Sequence, residues 1–167
     1  IQRITAMLSS ASLLVAAPVA INGVVRSTVR FAEFEARAHA VHFVLELADA
    51  LPMVQADQVQ LEQVLSNLIK NGIDAMSAIP GERILLVRSR LGADGVVEVA
   101  VIDRGEGLAE AVRSDPFAPF ATTKPDGVGL GLAICRTIIE NHGGRLWVEA
   151  STAHGSTFCF ALPSAAA

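Results

Sequence analysis

"ERILLVRSRLGADGVVEVAVID", residues 82–103, decides the fold. Its two halves alternate apolar and polar residues, the period-two signature of strands. The GADG between them supplies the turn of an antiparallel hairpin. In the second half Val97, Val99, Val101 and Asp103 share one face and Glu98 takes the other. With the valines turned to a core, the Asp103 carboxylate sits at its rim, where a buried charge needs a partner. Two readings stay open for it: an aspartate capping the turn before Gly105, or a carboxylate that accepts a hydrogen bond from a ligand's amino group. In the second, Gly105 and Gly107 let the backbone approach a flat ring.

Upstream, "DQVQLEQVLSNLIKNGIDAMSAI" (57–79) reads as a long helix capped by Asp57 and ended by the Pro80-Gly81 turn. Residues 1–14 read as a helix tail and linker, 18–21 as a short edge strand, and a helix starts near Asn22, its expected N-cap. A strand over 41–48 and an extended stretch over 51–56 follow. Downstream come an irregular stretch (104–126), a helix over about 128–142 stopped by Gly143-Gly144, and the strands RLWVEA and STFCFALP joined by STAHG. Helices set against hairpins predict an α+β fold: a two-layer sandwich whose mixed, mostly antiparallel sheet has helices on one face.

Composition removes several classes of function. The 167 residues suit one domain, and with 51% of them apolar the chain buries a core rather than staying disordered. A net charge of −4 offers no basic field for nucleic acid. The longest apolar run, 11–21, is too short to span a bilayer and is broken by Pro18, so no membrane contact is expected. Cys135 and Cys159 lack the paired spacing of a zinc site and read as reduced core thiols of a cytoplasmic protein. No signal peptide is visible, and the chain opens on Ile1, as expected of a piece excised from something longer.

Within the long helix, Leu61, Val64, Leu65, Leu68 and Gly72 form an apolar stripe, and Gln60, Gln63, Asn67, Asn71 and Asp74 form the opposite one. A plain solvated face is one reading, but such faces favour Lys and Glu, and asparagine is a poor helix former. An amide oxygen is also a hard, uncharged ligand for Mg2+. "DGVGLGL" (126–132) runs into the next helix with glycines at 127, 129 and 131. Backbone N–H groups at a helix start suit polyphosphate, a flexible loop leading into a helix is the other reading, and the run matches neither the dinucleotide fingerprint nor the Walker loop.

Taken together and in order, NLIKNGIDAM, DRGEGL, DPFAPFATTK, GVGLGL and GSTF resemble the N, G1, F, G2 and G3 boxes of the catalytic, ATP-binding domain of sensor histidine kinases. The resemblance spans residues 18–163 and implies the Bergerat ATP-binding sandwich, with ATP and Mg2+ as cofactors. It implies Asn71 as the Mg2+ ligand with Asn67 lining the pocket one turn earlier, and Asp103 as acceptor of the adenine amine beside Gly105 and Gly107. Phe117 and Phe120 are then anchors of a short ATP lid, Thr123 and Lys124 reach towards the phosphates, and Gly127, Gly129, Leu130, Gly131 and Leu132 cradle them. Ser156 or Thr157 supports adenine through a hydroxyl and water. Asn67, Asn71 and Lys124 are thereby the catalytic set. Two positions depart from the pattern: Gly72 where the family usually has alanine, and Glu106 where it often has proline or a small residue.

The family's phospho-acceptor histidine, with its acidic neighbour, matches none of His39, His42, His142 and His154, which read as structural. The resemblance thus implies residues 1–17 as the end of a dimerisation helix and linker, 18–163 as the catalytic domain and 164–167 as a tail. The activity implied is transfer of the γ-phosphate to a histidine on a dimerisation domain absent from this chain, with a response regulator downstream. The fragment would be a monomer and the intact protein a homodimer. Two rivals stand beside it: a non-catalytic nucleotide-sensing or docking module, and a Bergerat-type ATP hydrolase. The hydrolases place a glutamate where this chain has Asn67.

Overall fold

The computed structural model describes residues 15–121 and 130–165; the helix tail expected over 1–14 lies outside them. Its main sheet has five strands in the order β2-β4-β5-β7-β6, formed by β2 (Val41–Leu47), β4 (Arg83–Leu91), β5 (Val97–Ile102), β6 (Arg145–Thr152) and β7 (Gly155–Leu162). Only β2 and β4 run parallel; every other pair is antiparallel. A second ribbon pairs β1 (Ala17–Val19) with β3 (Val54–Ala56). Four helices complete the order: α1 (Ile21–Ala38), α2 (Gln58–Met76), the short α3 (Glu110–Arg113) and α4 (Gly131–Asn141).

The layers follow from the patterns in the chain. Val97, Val99 and Val101 of β5 are buried beneath the helices together with Leu85 and Val87 of β4 and Phe158 and Phe160 of β7. α2 lies between α1 and α4, and its stripe Leu61, Val64, Leu65, Leu68 is buried, continuing through Ile69, Ile73 and Met76. On the open sheet face Arg88 pairs with Glu46 and Arg90 with Glu98. The two-layer, helices-on-one-face arrangement is the one the hairpin predicts.

Several boundaries differ for identifiable reasons. α1 starts at Ile21 with Ala20 as N-cap, because the Asn22 amide is used elsewhere: Nδ2 donates to the Ala48 carbonyl (2.8 Å) and Oδ1 accepts from the Ser89 hydroxyl (2.6 Å). α2 stops at Met76, before Pro80-Gly81, where the Ser77 hydroxyl takes the Asp74 carbonyl (2.8 Å). The stretch after Arg104 contains α3. β6 runs two residues longer than expected and β7 starts one residue earlier, which leaves a turn of only two residues, and a bulge falls between Val148 and Ala150. The 51–56 stretch is a strand only at Val54–Ala56, paired with β1. Ser164 bridges to Val54 and the Ala165 N–H bonds the Met53 carbonyl (2.7 Å), so the expected tail begins as part of the domain.

Candidate functional site

Asp57 closes the start of α2 as the sequence predicts: Oδ1 accepts from the backbone N–H groups of Val59 (3.0 Å) and Gln60 (3.3 Å). The Asp57 N–H itself donates to His142 Nε2 (3.1 Å), while His142 Nδ1 lies 2.7 Å from the Ile138 carbonyl. Accepting at Nε2 puts the ring proton on Nδ1, so this histidine joins the end of α4 to the beginning of α2. From this fixed start, Asn67, Asn71 and Asp74 emerge half-buried on the side of α2 away from its apolar stripe. Lys70, exposed between the two asparagines, adds a cation that the asparagine pattern alone did not single out.

β5 delivers Asp103 just past its last residue, 6% exposed, on the helix-covered side. Oδ1 accepts from the Gly105 N–H (2.8 Å) and the Ser156 N–H (3.2 Å), and the Asp103 N–H donates to the Ser156 carbonyl (3.0 Å). Among the described residues both carboxylate bonds fall on Oδ1. Burial pushes the carboxyl above the usual aspartate value, opposed by these two N–H groups. Asp103 is therefore a turn-capping residue, as the first reading has it, and its carboxylate is buried with one oxygen committed to the backbone.

The ends of three strands are tied to this point. The Ser156 and Ser151 hydroxyls lie 3.0 Å apart, and Ser151 Oγ accepts from the Leu108 N–H (2.8 Å). On the other side, the Arg104 N–H reaches Met76 Sδ (3.4 Å) in the last turn of α2. Close approach explains Gly105, where a Cβ would stand 2.6 Å from the Ala75 carbonyl oxygen. Gly107 has φ of +80° and faces the Thr152 carbonyl, so it needs both the left-handed backbone and the missing side chain. These contacts lie within the chain, a reason for both glycines that the ring-approach reading did not include. At Gly72, the space of the usual alanine methyl is taken by Leu85, whose Cδ1 lies 2.6 Å from where that Cβ would be. Glu106 is exposed.

The structure separates the two paired expectations. Ser156, 5% exposed, shares the Asp103 side of the sheet, and Thr157, one residue on, lies on the open face, so strand alternation removes Thr157 from the site. Phe117 is buried at 8%, meets Phe158 edge-on (centroids 6.2 Å apart, 88°) and carries Arg136 5.9 Å from its ring centre. Arg136 in turn reaches Asp115 at 3.7 Å. Phe120 makes no such contact among the described residues: its backbone has φ of +65° and the residue is 59% exposed. A cavity of about 420 Å³ opens between the 108–117 stretch and β6, but Asn67, Asn71 and Asp103 do not line it.

Leu130 and Gly131 stand at the start of α4, with Leu132 half-buried in its first turn. No side chain caps this helix among the described residues. Thr123, Lys124, Gly127 and Gly129 lie outside them. Cys135 is the free core thiol that the sequence predicts. It is fully buried on α4 and touches α2 directly, with Asn67 Nδ2 3.5 Å from its Sγ.

Comparison with known proteins agrees with this geometry. Residues 56–166 match the family of histidine kinase-, DNA gyrase B- and HSP90-like ATPases. The sensor protein TdiS of Thauera aromatica is 42% identical over 148 residues, 87% of this chain, which spans 27% of that protein. The catalytic domain of the histidine kinase ThkA superposes with a TM-score of 0.76 at 32% identity, covering 89% of this chain and 97% of that one. ThkA is also known in complex with the response regulator TrrA (TM-score 0.73, 29% identity, 96% of this chain and 46% of that one). Full-length ShkA in complex with AMPPNP gives a TM-score of 0.81 at 30% identity, covering 93% of this chain and 32% of that one.

Proposed function

The chain belongs to the histidine kinase-, DNA gyrase B- and HSP90-like ATPase family, as a catalytic, ATP-binding domain of the sensor histidine kinase kind, and from that premise we propose how its residues work. They bind Mg2+·ATP and present its γ-phosphate to a histidine on a dimerisation domain outside this chain. The observation that carries this reading is Asp103: a buried carboxylate with one oxygen committed to the backbone, on the same side of the sheet as the asparagine ladder of α2. Such a group accepts well from the exocyclic amine of adenine, and Ser156 beside it holds a hydroxyl in reach of the base through water.

The donors present fit a metal that arrives with its substrate. Among the described residues no cluster of three or more His, Cys, Asp or Glu could hold an ion alone. Asn71, half-buried on α2, offers the single neutral oxygen that Mg2+ commonly takes from protein when phosphates supply the rest. When bound, Mg2+ offsets the charge that develops on the transferring phosphoryl group. The residues of the chain position it: Asn67 and Asn71 line one wall, Lys70 and Lys124 bring cations to it, and the N–H groups opening α4, with Gly127, Gly129 and Gly131, receive the phosphates. Phe117 pins the stretch leading to the lid. An amide at position 67 does not serve as general base for water, which favours transfer to an imidazole over hydrolysis.

The intact protein is then a homodimer built on its dimerisation domain, with a response regulator as the next acceptor, as the complex of the similar kinase ThkA supports. No helix among the described residues is long and apolar enough to cross a membrane, and a domain that uses ATP belongs in the cytoplasm. Residues 1–17 would join the dimerisation helix to the catalytic domain. The test supplies the chain with a separate dimerisation domain carrying its histidine. Mg2+-dependent phosphohistidine is expected, and Asn71→Ala should lower the rate by at least roughly a hundredfold. Strong labelling by that variant would remove Asn71 from the metal site. Phosphate release without labelling would favour the hydrolase.

A further inference from the structure

Cys135 is 0% exposed and sits one helical turn after Gly131 on α4, facing α2. Two contacts define it: Asn67 Nδ2 donates to Sγ at 3.5 Å, and Sγ lies 3.8 Å from the Val64 carbonyl, one turn earlier on α2. Burial pushes this thiol up to about 11, so it keeps its proton near neutral pH. A thiol has one proton to donate, and the Val64 carbonyl takes it. The sulfur lone pairs then face Asn67 and receive its amide N–H. With the oxygen turned inward instead, Asn67 Oδ1 and the Val64 carbonyl would compete for a single S–H proton, and one of them would face lone pairs. We propose that Cys135 is a positioning residue that fixes the amide of Asn67, holding Nδ2 against α4 and turning Oδ1 towards the side of α2 that carries Asn71.

The inference rests on the reading of Asn67 as part of the Mg2+·ATP wall, and it adds how that wall acquires its polarity. An asparagine amide is symmetric in shape and opposite in chemistry at its two ends, so a free rotor would offer a phosphate-bound cation an N–H donor part of the time. The thiol suppresses that state, and it spans from the helix that opens on the glycine run to the helix that carries the asparagines. It thereby couples the placement of α4 to the orientation of a side chain on α2.

The test compares Cys135→Val, which removes donor and acceptor and adds the bulk of about one methyl group, with Cys135→Ser, which keeps both. In the nucleotide-free chain, the two Asn67 Hδ2 resonances should be well separated in the wild type and in Cys135→Ser, and should move together in Cys135→Val. Calorimetry should then show Mg2+·ATP binding weakened by about threefold to tenfold in Cys135→Val and restored in Cys135→Ser, with ATP in EDTA bound equally by all three. Unshifted Asn67 resonances in Cys135→Val, or valine and serine variants alike in Mg2+·ATP affinity, would overturn the inference. Asn67→Ala separates this from the broader reading. If that variant binds Mg2+·ATP as the wild type does, the placement of Asn67 in the wall fails; if it is impaired while Cys135→Val is not, only the role of Cys135 fails. Should Cys135→Val lower the melting temperature by more than a few degrees, Cys135→Ala supplies the same comparison with less bulk.

Discussion

The two long helices flanking the site begin in opposite ways. α2 opens on Asp57, whose carboxylate satisfies its first N–H groups before any ligand arrives. α4 opens on Leu130, whose side chain has no oxygen to offer, and no side chain caps it among the described residues. A helix start left without a cap keeps orphan N–H groups and the positive end of its dipole for something else. Among the described residues α2 is thus a finished structural element that displays side chains, and α4 has a beginning that no side chain completes.

Four measurements bear on that contrast. The largest effect should come from the displayed side: Asp103→Asn removes a charge-assisted acceptor and should weaken ATP binding by about tenfold to a hundredfold in calorimetry. Unchanged affinity would mean that the sheet end does not read the base. Next, saturating Mg2+·ATP should slow hydrogen exchange at Gly131 and Leu132 by roughly tenfold, leaving Val59 and Gln60 of α2 as they were. Equal protection at both helix starts would erase the distinction. Asp57→Ala should cost about 1 kcal/mol of stability in urea unfolding with no change in ATP affinity. A loss of affinity there would show that the start of α2 is part of the site.

The smallest effect concerns pH. Because the folded-state value of Asp103 is raised, its carboxyl contributes stability below the ordinary aspartate value, and this is lost as pH rises through the raised one. Subtracting the urea stability of Asp103→Asn from that of the wild type isolates this group, and the difference should become less favourable to the wild type between about pH 3 and pH 7. A difference growing the other way would mean that the Gly105 and Ser156 N–H bonds outweigh burial.

Much of this was legible because local pattern and tertiary role coincide. Alternation put Val97, Val99, Val101 and Asp103 on one face and the structure keeps them there; the apolar stripe of α2 placed Asn67 and Asn71 on the opposite side without reference to any neighbour. What could not be read depends on partners distant in the chain. Asn22 looks like a cap, and Ala48 and Ser89 claim it instead. Phe117 and Phe120 are alike in sequence, yet only Phe117 finds Phe158 and Arg136. Ser156 and Thr157 both offer a hydroxyl, and the register of β7 against β5 decides between them. Cys135 reads as a core thiol and is one, but its contact with Asn67, 68 residues away, carries no local signal.

The ribbon of β1 and β3 has a mechanical consequence. The Val15 N–H bonds the Asp57 carboxylate at 3.4 Å, and the Ala165 N–H bonds the Met53 carbonyl, so the first and last described residues are fastened to the same five-residue stretch. Tension applied at the two ends would be borne there, in shear across a short clasp, without passing through the five-stranded sheet or the nucleotide groove. Anything joined to either end is a lateral neighbour of whatever is joined to the other.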